Sequence, residues 1–338
     1  MAGMLPDGRR LGAHLAIDGG LAAAAVRAAE IGATALQIFG GDPTSWPREP
    51  LVADEIAEFQ AVLAGAGVTS LAIHASYLIN LAGADPAYRD RSIAMLAAEL
   101  RVAALLGAGL VNVHTGSHGG DGIEPGIQRL VSAIGDVLAA EGDAAPGSRP
   151  TIVLENSVGG GFGLGTNLAE LGSIADALDR AGVTRGRVGF CLDTAHAWGA
   201  GIDLADARVV DGLIDGFDAR IGIDRLRLVH LNDTTSERGS RTDRHQHLGA
   251  GRIGEAGLGH ILRHPALAAT TFILETPGMD EGFDAINLAR AVAMARGMPL
   301  VPLPAAALSL PRRRTRHSTP DRTARPPEPS RSASEPTT

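Results

Sequence analysis

Leu110-Val-Asn-Val-His114 is a short apolar run closed by a histidine. Downstream, Ile127-Gln-Arg-Leu-Val-Ser-Ala-Ile-Gly-Asp-Val-Leu-Ala-Ala140 returns an apolar residue every three or four positions. Ile152-Val-Leu-Glu155 is a second apolar run, closed by a carboxylate. Short continuous apolar runs suit strands buried on both faces, and the spacing over 127–140 is that of an amphipathic helix. Strand, helix and strand in this order make one βαβ unit, whose strands are parallel. The same rhythm extends in both directions. Apolar runs lie near Leu11–His14, Ala33–Phe39, Ser70–His74, Leu110–His114, Ile152–Glu155, Val188–Asp193, Leu226–His230 and Thr271–Glu275. Helical patterns follow them at Leu21–Glu30, Glu55–Ala64, Ala87–Leu106, Ile127–Ala140, Leu168–Arg180, Ala205–Ile221, Glu255–Arg263 and Phe283–Ala295. Eight units predict an α/β fold of the closed (β/α)₈ TIM-barrel type. An open doubly wound sheet is the structural alternative. It lacks support, because Ala16–Gly20, after the first run, does not fit G-x-G-x-x-G.

Composition bounds the function. The chain has 338 residues, 45% of them hydrophobic, and a mean hydropathy of +0.09. That supplies a sizeable core and excludes a wholly disordered chain. No apolar stretch reaches the roughly 18 residues of a membrane span, and Met1–Arg10 lacks the pattern of a secretory signal. The single cysteine, Cys191, excludes an internal disulfide framework and zinc sites made of several thiolates. It suits a reducing, cytoplasmic compartment. All 30 basic residues are arginine, and the net charge is −8. Residues 304–338 hold seven arginines against three acids and seven of the 19 prolines. The division predicted is therefore a barrel domain over 1–303 and a disordered Arg/Pro/Ser-rich tail over 304–338. An acidic body does not advertise a broad nucleic-acid surface, but bound metal ions can build a local cationic site.

A polar residue closes most of the apolar runs: His14, His74, His114, Glu155, Asp193, His230 and Glu275. In a barrel all strand C-termini open on one face, where active sites lie. Taken singly, each has an ordinary structural use. Together, imidazoles and carboxylates converging from six or seven strands suit a cage for divalent metal. Two further pairs join them. Asp193-Thr-Ala-His196 sets a carboxylate and an imidazole three residues apart, and Asp243-Arg-His245 sets a second pair on one side of an extended loop. The candidate ligands are His74, His114, Glu155, Asp193, His196, His230, Asp243, His245 and Glu275. Nine exceed what one zinc takes, and with one bridging carboxylate they suffice for three metals. Clusters with open positions suit hydrolysis of phosphate esters.

These residues, with their surroundings, resemble the endonuclease IV family of apurinic/apyrimidinic (AP) endonucleases. The matching stretches are Gly12-Ala-His14, Ile73-His-Ala-Ser-Tyr-Leu-Ile-Asn-Leu81, Val113-His-Thr-Gly-Ser-His118 and Leu154-Glu-Asn156. They continue with Cys191-Leu-Asp-Thr-Ala-His196, Val229-His-Leu-Asn-Asp233, Gly239-Ser-Arg-Thr-Asp-Arg-His245 and Leu274-Glu-Thr276. The resemblance implies a zinc-dependent hydrolase, a deoxyribonuclease IV of the phage-T4-induced type, with three zinc ions or manganese in their place. It implies that His74, His114 and Glu155 hold the first ion, with Glu155 bridging to a second. Asp193, His230 and Glu275 complete the second, and His196, Asp243 and His245 hold the third. The carboxylates Glu155, Asp193 and Glu275 carry the catalytic role. The implied reaction cuts duplex DNA 5′ to an abasic site in base excision repair, leaving a 3′-hydroxyl and a 5′-deoxyribose phosphate. Tyr77 and Leu78 match the loop that enters the minor groove beside the lesion, and Asn80 is expected to hold that loop. Arg238, Arg241 and Arg244 are candidate phosphate contacts, with pairing to nearby acids the structural alternative for Arg241 and Arg244, and no membrane partner is expected. The expected state is a monomer acting on chromosomal DNA in a bacterial-type cytoplasm.

The chain also departs from the family. Thr44 stands where an arginine enters the duplex, Gly160 where a glutamine is common, and Thr115 where proline is usual. The centre is complete while the DNA-gripping loops are depleted. Two other functions compete. A sugar-isomerase-like barrel uses Glu155, Asp193, His230 and Glu275 around one or two metals, but leaves the other five ligands without a task. A non-catalytic damage binder would be marked by a lost ligand, and none is lost.

Overall fold

The computed structural model describes residues 5–46, 51–141, 149–278 and 281–309. Eight parallel strands close into a barrel: β1 (Leu11–His14), β2 (Ala35–Phe39), β3 (Ser70–His74), β4 (Leu110–His114), β5 (Thr151–Glu155), β6 (Val188–Asp193), β7 (Leu226–His230) and, last in the chain, β10 (Thr271–Leu274). Two residue pairs show the closure, Leu11 with Phe272 and Ala13 with Leu274. The two-residue strands β8 (Asp233–Thr234) and β9 (His245–Gln246) pair antiparallel outside the barrel.

Side chains alternate along a strand, and this rule builds the site. Ala35, Ala72, Leu110, Val153, Cys191, Leu228 and Ile273 form a buried apolar cluster with one member from each of seven strands. Residues two positions further on point the same way, toward the C-terminal mouth: Gln37, His74, Asn112, Glu155, Asp193, His230 and Glu275. The interior is thus an apolar floor with a polar layer on top. On β1 the corresponding pair is Gly12 and His14. A Cβ on Gly12 would lie 1.7 Å from the Ala35 carbonyl oxygen, so only glycine fits there. The opposite strand face packs on the helices, in a large cluster that includes Leu36, Ile73, Val111, Leu154, Leu192 and Val229.

The helices are α1 (Leu21–Glu30), α2 (Ala53–Ala66), α3 (Pro86–Leu106), α4 (Ile123–Ala140), α5 (Leu168–Arg180), α6 (Thr194–Gly199), α7 (Ala207–Arg220), α8 (Gly254–Arg263), α9 (Asp284–Arg296) and α10 (Ala305–Leu308). Local chemistry sets their ends. Asp85 caps α3 by accepting from the Ala87 and Tyr88 amides, with Pro86 in the first turn. Eight of them occupy the predicted places, with ends shifted by a few residues. The sequence pattern misses α6, which is too short to show a period, and the β8/β9 pair.

The pattern also places the start of the tail too early. Residues 305–308 form α10, Ala307 is buried, and its carbonyl accepts from the buried His247 Nε2 at 3.1 Å. The contact is small, since Ala307 is buried while Ala305, Ala306 and Leu308 stay exposed, and the Pro- and Arg-rich average of 304–338 hides it. The rest of the predicted tail lies outside the described residues. Among those described, no helix is long and apolar enough to cross a membrane.

Candidate metal centre

Six of the nine predicted ligands stand at or just past the C-terminal ends of barrel strands, and His196, Asp243 and His245 come in from α6 and the long loop after β7. Glu155 is central. Its Oε2 lies 3.8 Å from His74 Nε2 and 3.9 Å from His114 Nε2. Its Oε1 lies 3.2 Å from His196 Nδ1 and 3.4 Å from His230 Nδ1. His230 Nδ1 is also 3.3 Å from Glu275 Oε2 and 3.9 Å from Asp193 Oδ2. Asp243 reaches His245 Nε2 at 3.0 Å and His196 Nε2 at 3.3 Å. All nine side chains therefore share one cage.

Within it, three groups present ligand atoms that all lie within 4.8 Å of one another: His74, His114 and Glu155; Glu155, Asp193 and His230; and Asp193, His196 and His245. Glu155 joins the first two, as the sequence leads one to expect. Asp193 joins the last two, which the sequence does not foretell. The reason is local: Asp193 is the N-cap of α6, and its Oδ1 accepts the His196 amide at 2.7 Å, which draws the aspartate and that turn together.

A surrounding set of hydrogen bonds fixes the rings. His74, His196 and His245 direct Nδ1 at the carbonyls of Ala75, Asn156 and Glu275, at 2.8, 2.9 and 2.7 Å. His230 is turned the other way, with Nε2 3.0 Å from Gln37 Oε1. Gln37 Nε2 donates to Glu275 Oε1 at 2.8 Å, and His14 Nδ1 lies 3.2 Å from the same oxygen. His14 thus supports the cage from behind. Asn112 donates to Glu155 at 2.6 Å, and Asn232 donates to Asp193 at 2.7 Å. Sequence reasoning misses Gln37, Asn112 and Asn232 as supporting residues. A signal exists: Gln37 and Asn112 lie at interior-facing positions of apolar strands, where an amide needs a partner.

The electrostatics follow from packing acids among imidazoles. Burial disfavours charge on every group. The neighbouring imidazoles nevertheless hold the Glu155 and Glu275 carboxyls below the usual carboxylate range. The carboxylates in turn raise His196, Cys191 together with Glu275 and Glu155 raises His230, and Asp243 with its neighbours pushes His245 up to about 10. His74 is held down at about 3 by burial. The donor set fits divalent metal, and one atom argues it directly. His230 Nδ1 is buried, has no hydrogen-bond partner and faces three carboxylates. Cys191, beneath the cage, has its thiol pushed up to about 12 by burial, which suits a packing residue and not a ligand.

At the rim, the Tyr77 ring packs 5.5 Å from His74 and 6.3 Å from His114 and remains 42% exposed. Leu78 is half-buried beside it, and its carbonyl accepts from the Tyr88 hydroxyl at 2.8 Å. Asn80 holds this loop as expected, accepting from the Ala82 and Ser117 amides and donating to the Ser117 carbonyl. Arg241 and Arg244 are exposed and form no ion pair among the described residues, whereas Arg238 pairs with Asp203. Arg241 adopts a left-handed backbone (φ 56°), costly for a residue with a Cβ. Thr44 hydrogen-bonds Asp42, and buried Thr115 donates to the Leu164 carbonyl. Both side chains serve loop structure.

Comparison with known proteins gives this barrel its class. Residues 25–297 match the family model described as Xylose isomerase-like TIM barrel. A probable endonuclease 4 of Halothermothrix orenii is 39% identical over 284 residues, covering 83% of this chain and 99% of that protein. One from Methanoculleus marisnigri is 38% identical, covering 84% and 98%. The crystal structure of endonuclease IV from Thermus thermophilus superimposes with a TM-score of 0.73 at 39% identity, covering 85% of this chain and 99% of that one. A D-tagatose 3-epimerase-like protein, 15% identical with a TM-score of 0.60, shares the fold alone. The chain belongs to the endonuclease IV family.

Proposed function

We propose that this chain is an AP endonuclease of base excision repair. It hydrolyses the phosphodiester 5′ to an abasic nucleotide, leaving a 3′-hydroxyl and a 5′-deoxyribose phosphate. The observation that carries this reading is the nine-residue cage, with four carboxylates and five imidazoles on one barrel mouth. His74, His114 and Glu155 would hold one ion, Glu155, Asp193, His230 and Glu275 a second, and His196, Asp243 and His245 a third. Bound divalent ions, zinc or manganese, neutralise phosphoryl charge and acidify water at neutral pH. The chain's own residues do the rest. Asn112, Asn232 and Gln37 aim the carboxylates, and backbone carbonyls fix three imidazole tautomers. Tyr77 and Leu78 replace the stacking lost at the lesion, a site that costs less to open because it lacks a base. Arg241 and Arg244, without acid partners among the described residues, contact phosphates. The protein acts as a monomer on chromosomal DNA in the cytoplasm.

The isomerase reading uses only Glu155, Asp193, His230 and Glu275, and the other five ligands then serve nothing. The test is incision of a duplex carrying one stable abasic analogue, followed by analysis of the ends. A 3′ end that a DNA polymerase extends directly is the expected product. An uncut lesion, or interconversion of an aldose and a ketose by the same protein, would overturn the assignment.

A further inference from the structure

Only 3% of residues are aromatic, and one phenylalanine is held out into solvent at the barrel mouth. Phe162 is 53% exposed, in the loop between β5 and α5. A singly exposed apolar residue is ordinary, so the case for this one rests on where it stands and how its loop is held. The loop holds it firmly. The Phe162 carbonyl accepts the His118 amide at 3.0 Å, Ser117 bridges Gly163, and the Leu164 amide donates to Gly116 at 2.9 Å. The Phe162 ring leans on the His118 ring at 5.3 Å, and His118 Nδ1 accepts from the Gly120 and Gly122 amides. The ring thus rests beside His118 and Gly120, and about half of the residue stays open to solvent.

Its neighbours belong to the proposed DNA face. Ser117, which bridges Gly163, is also the residue that Asn80 binds to hold the Tyr77–Leu78 loop. On the other side, a Cβ on Gly160 would lie 3.2 Å from the Arg241 carbonyl oxygen, two residues before Asp243. These contacts link one rim, from the Tyr77–Leu78 loop through Ser117 and the loop of Phe162 to Arg241. It carries two exposed aromatics and ends on an arginine that forms no ion pair among the described residues.

We propose that Phe162 is a lesion-selectivity residue that stacks on a base face beside the abasic nucleotide which the Tyr77–Leu78 loop does not cover. An abasic site removes the stacking partner of its neighbours, and an aromatic ring is a sequence-tolerant substitute. The preceding residues, Gly159, Gly160 and Gly161, offer no side chains for hydrogen bonding. A rigid ring supplies, by stacking, the grip that this part of the loop does not obtain by polar contacts. This inference rests on the endonuclease reading.

The experiment uses the full metal-loaded chain and duplexes with 2-aminopurine beside a stable abasic analogue. Phe162→Ala is expected to raise KM for the lesion duplex about tenfold, with the loss on KM and not on kcat. Binding to the undamaged duplex should change by less than about twofold. Phe162→Trp should restore KM, and the change in 2-aminopurine emission on binding should shrink in Phe162→Ala alone. Circular dichroism checks that each variant folds. Wild-type KM and emission change in a folded Phe162→Ala variant would overturn the inference. So would equal loss on damaged and undamaged DNA. Failure of the wild-type protein to cut the lesion duplex would instead sink the endonuclease reading.

Discussion

Glu155 lies against four imidazoles, each from a different segment of the chain. Glu155→Gln keeps the shape and removes the charge of a ligand shared between two groups. Loss of several kcal/mol of transition-state stabilisation predicts an incision rate lower by about a thousandfold, read under single turnover. Near-normal turnover would mean that the cage is not one centre. Gln37 acts one step back, between His230 and Glu275. Gln37→Ala should weaken metal binding by about 10- to 100-fold in competition with a chromophoric chelator. Unchanged affinity would remove it from the supporting set. The metal-free chain also has a predictable pH dependence. Burial opposes charge on His245, but Asp243 and the nearby carboxylates outweigh it and raise the ring from 6.5 to about 10. The folded chain then holds this proton more tightly than the unfolded one. The stability it contributes is complete below pH 6.5 and is lost as pH rises through about 10. Metal-free protein should show a falling urea midpoint over that window, and metal-loaded protein a flat one. A flat midpoint without metal would contradict the pairing of Asp243 with His245.

At the scale of elements, the two-residue period of the strands joins fold to site. The same alternation that sinks Val153 and Leu228 into the apolar floor lifts Glu155 and His230 to the mouth. This is why so much is legible in the sequence: a polar residue closing an apolar strand can point only into the barrel or into the helix layer. His74 and Glu275 are found that way. What stays hidden depends on contacts between segments. The double role of Asp193 comes from its capping of a six-residue helix, and the support from Gln37 spans residues 193 positions apart. Asp233, read only as part of His230-Leu-Asn-Asp233, is a buried anchor that accepts from the Gly249, Gly251 and Ile253 amides and so shapes the loop after His245. Gly12 tests the strand packing directly. Gly12→Ala must part β1 from β2, and we expect a loss of about 3 kcal/mol or more in urea unfolding. A loss below about 1 kcal/mol would show that the strands can give way.

For the whole molecule, α10 is the last described element, and two truncations test what it contributes. Removing residues 310–338 should leave kcat and the melting temperature unchanged. Removing 304–338 also strips the acceptor from buried His247 and uncovers its pocket. A buried donor without a partner costs about 1–3 kcal/mol, so the melting point should fall by several degrees while kcat holds. Identical melting of the two truncations would show that α10 contributes nothing. On the proposed reading the net-acidic body and the mouth would divide the work: ions bound at the mouth would supply a local positive charge that the body as a whole does not. That division rests on the cage holding its metals as one unit. The most direct test strips the protein with a chelator, restores zinc stepwise, and follows ions bound per chain against incision of the abasic duplex. We predict that incision vanishes on stripping and returns fully only as three ions are bound. Full incision with one ion or none, or no incision at three, would contradict the account.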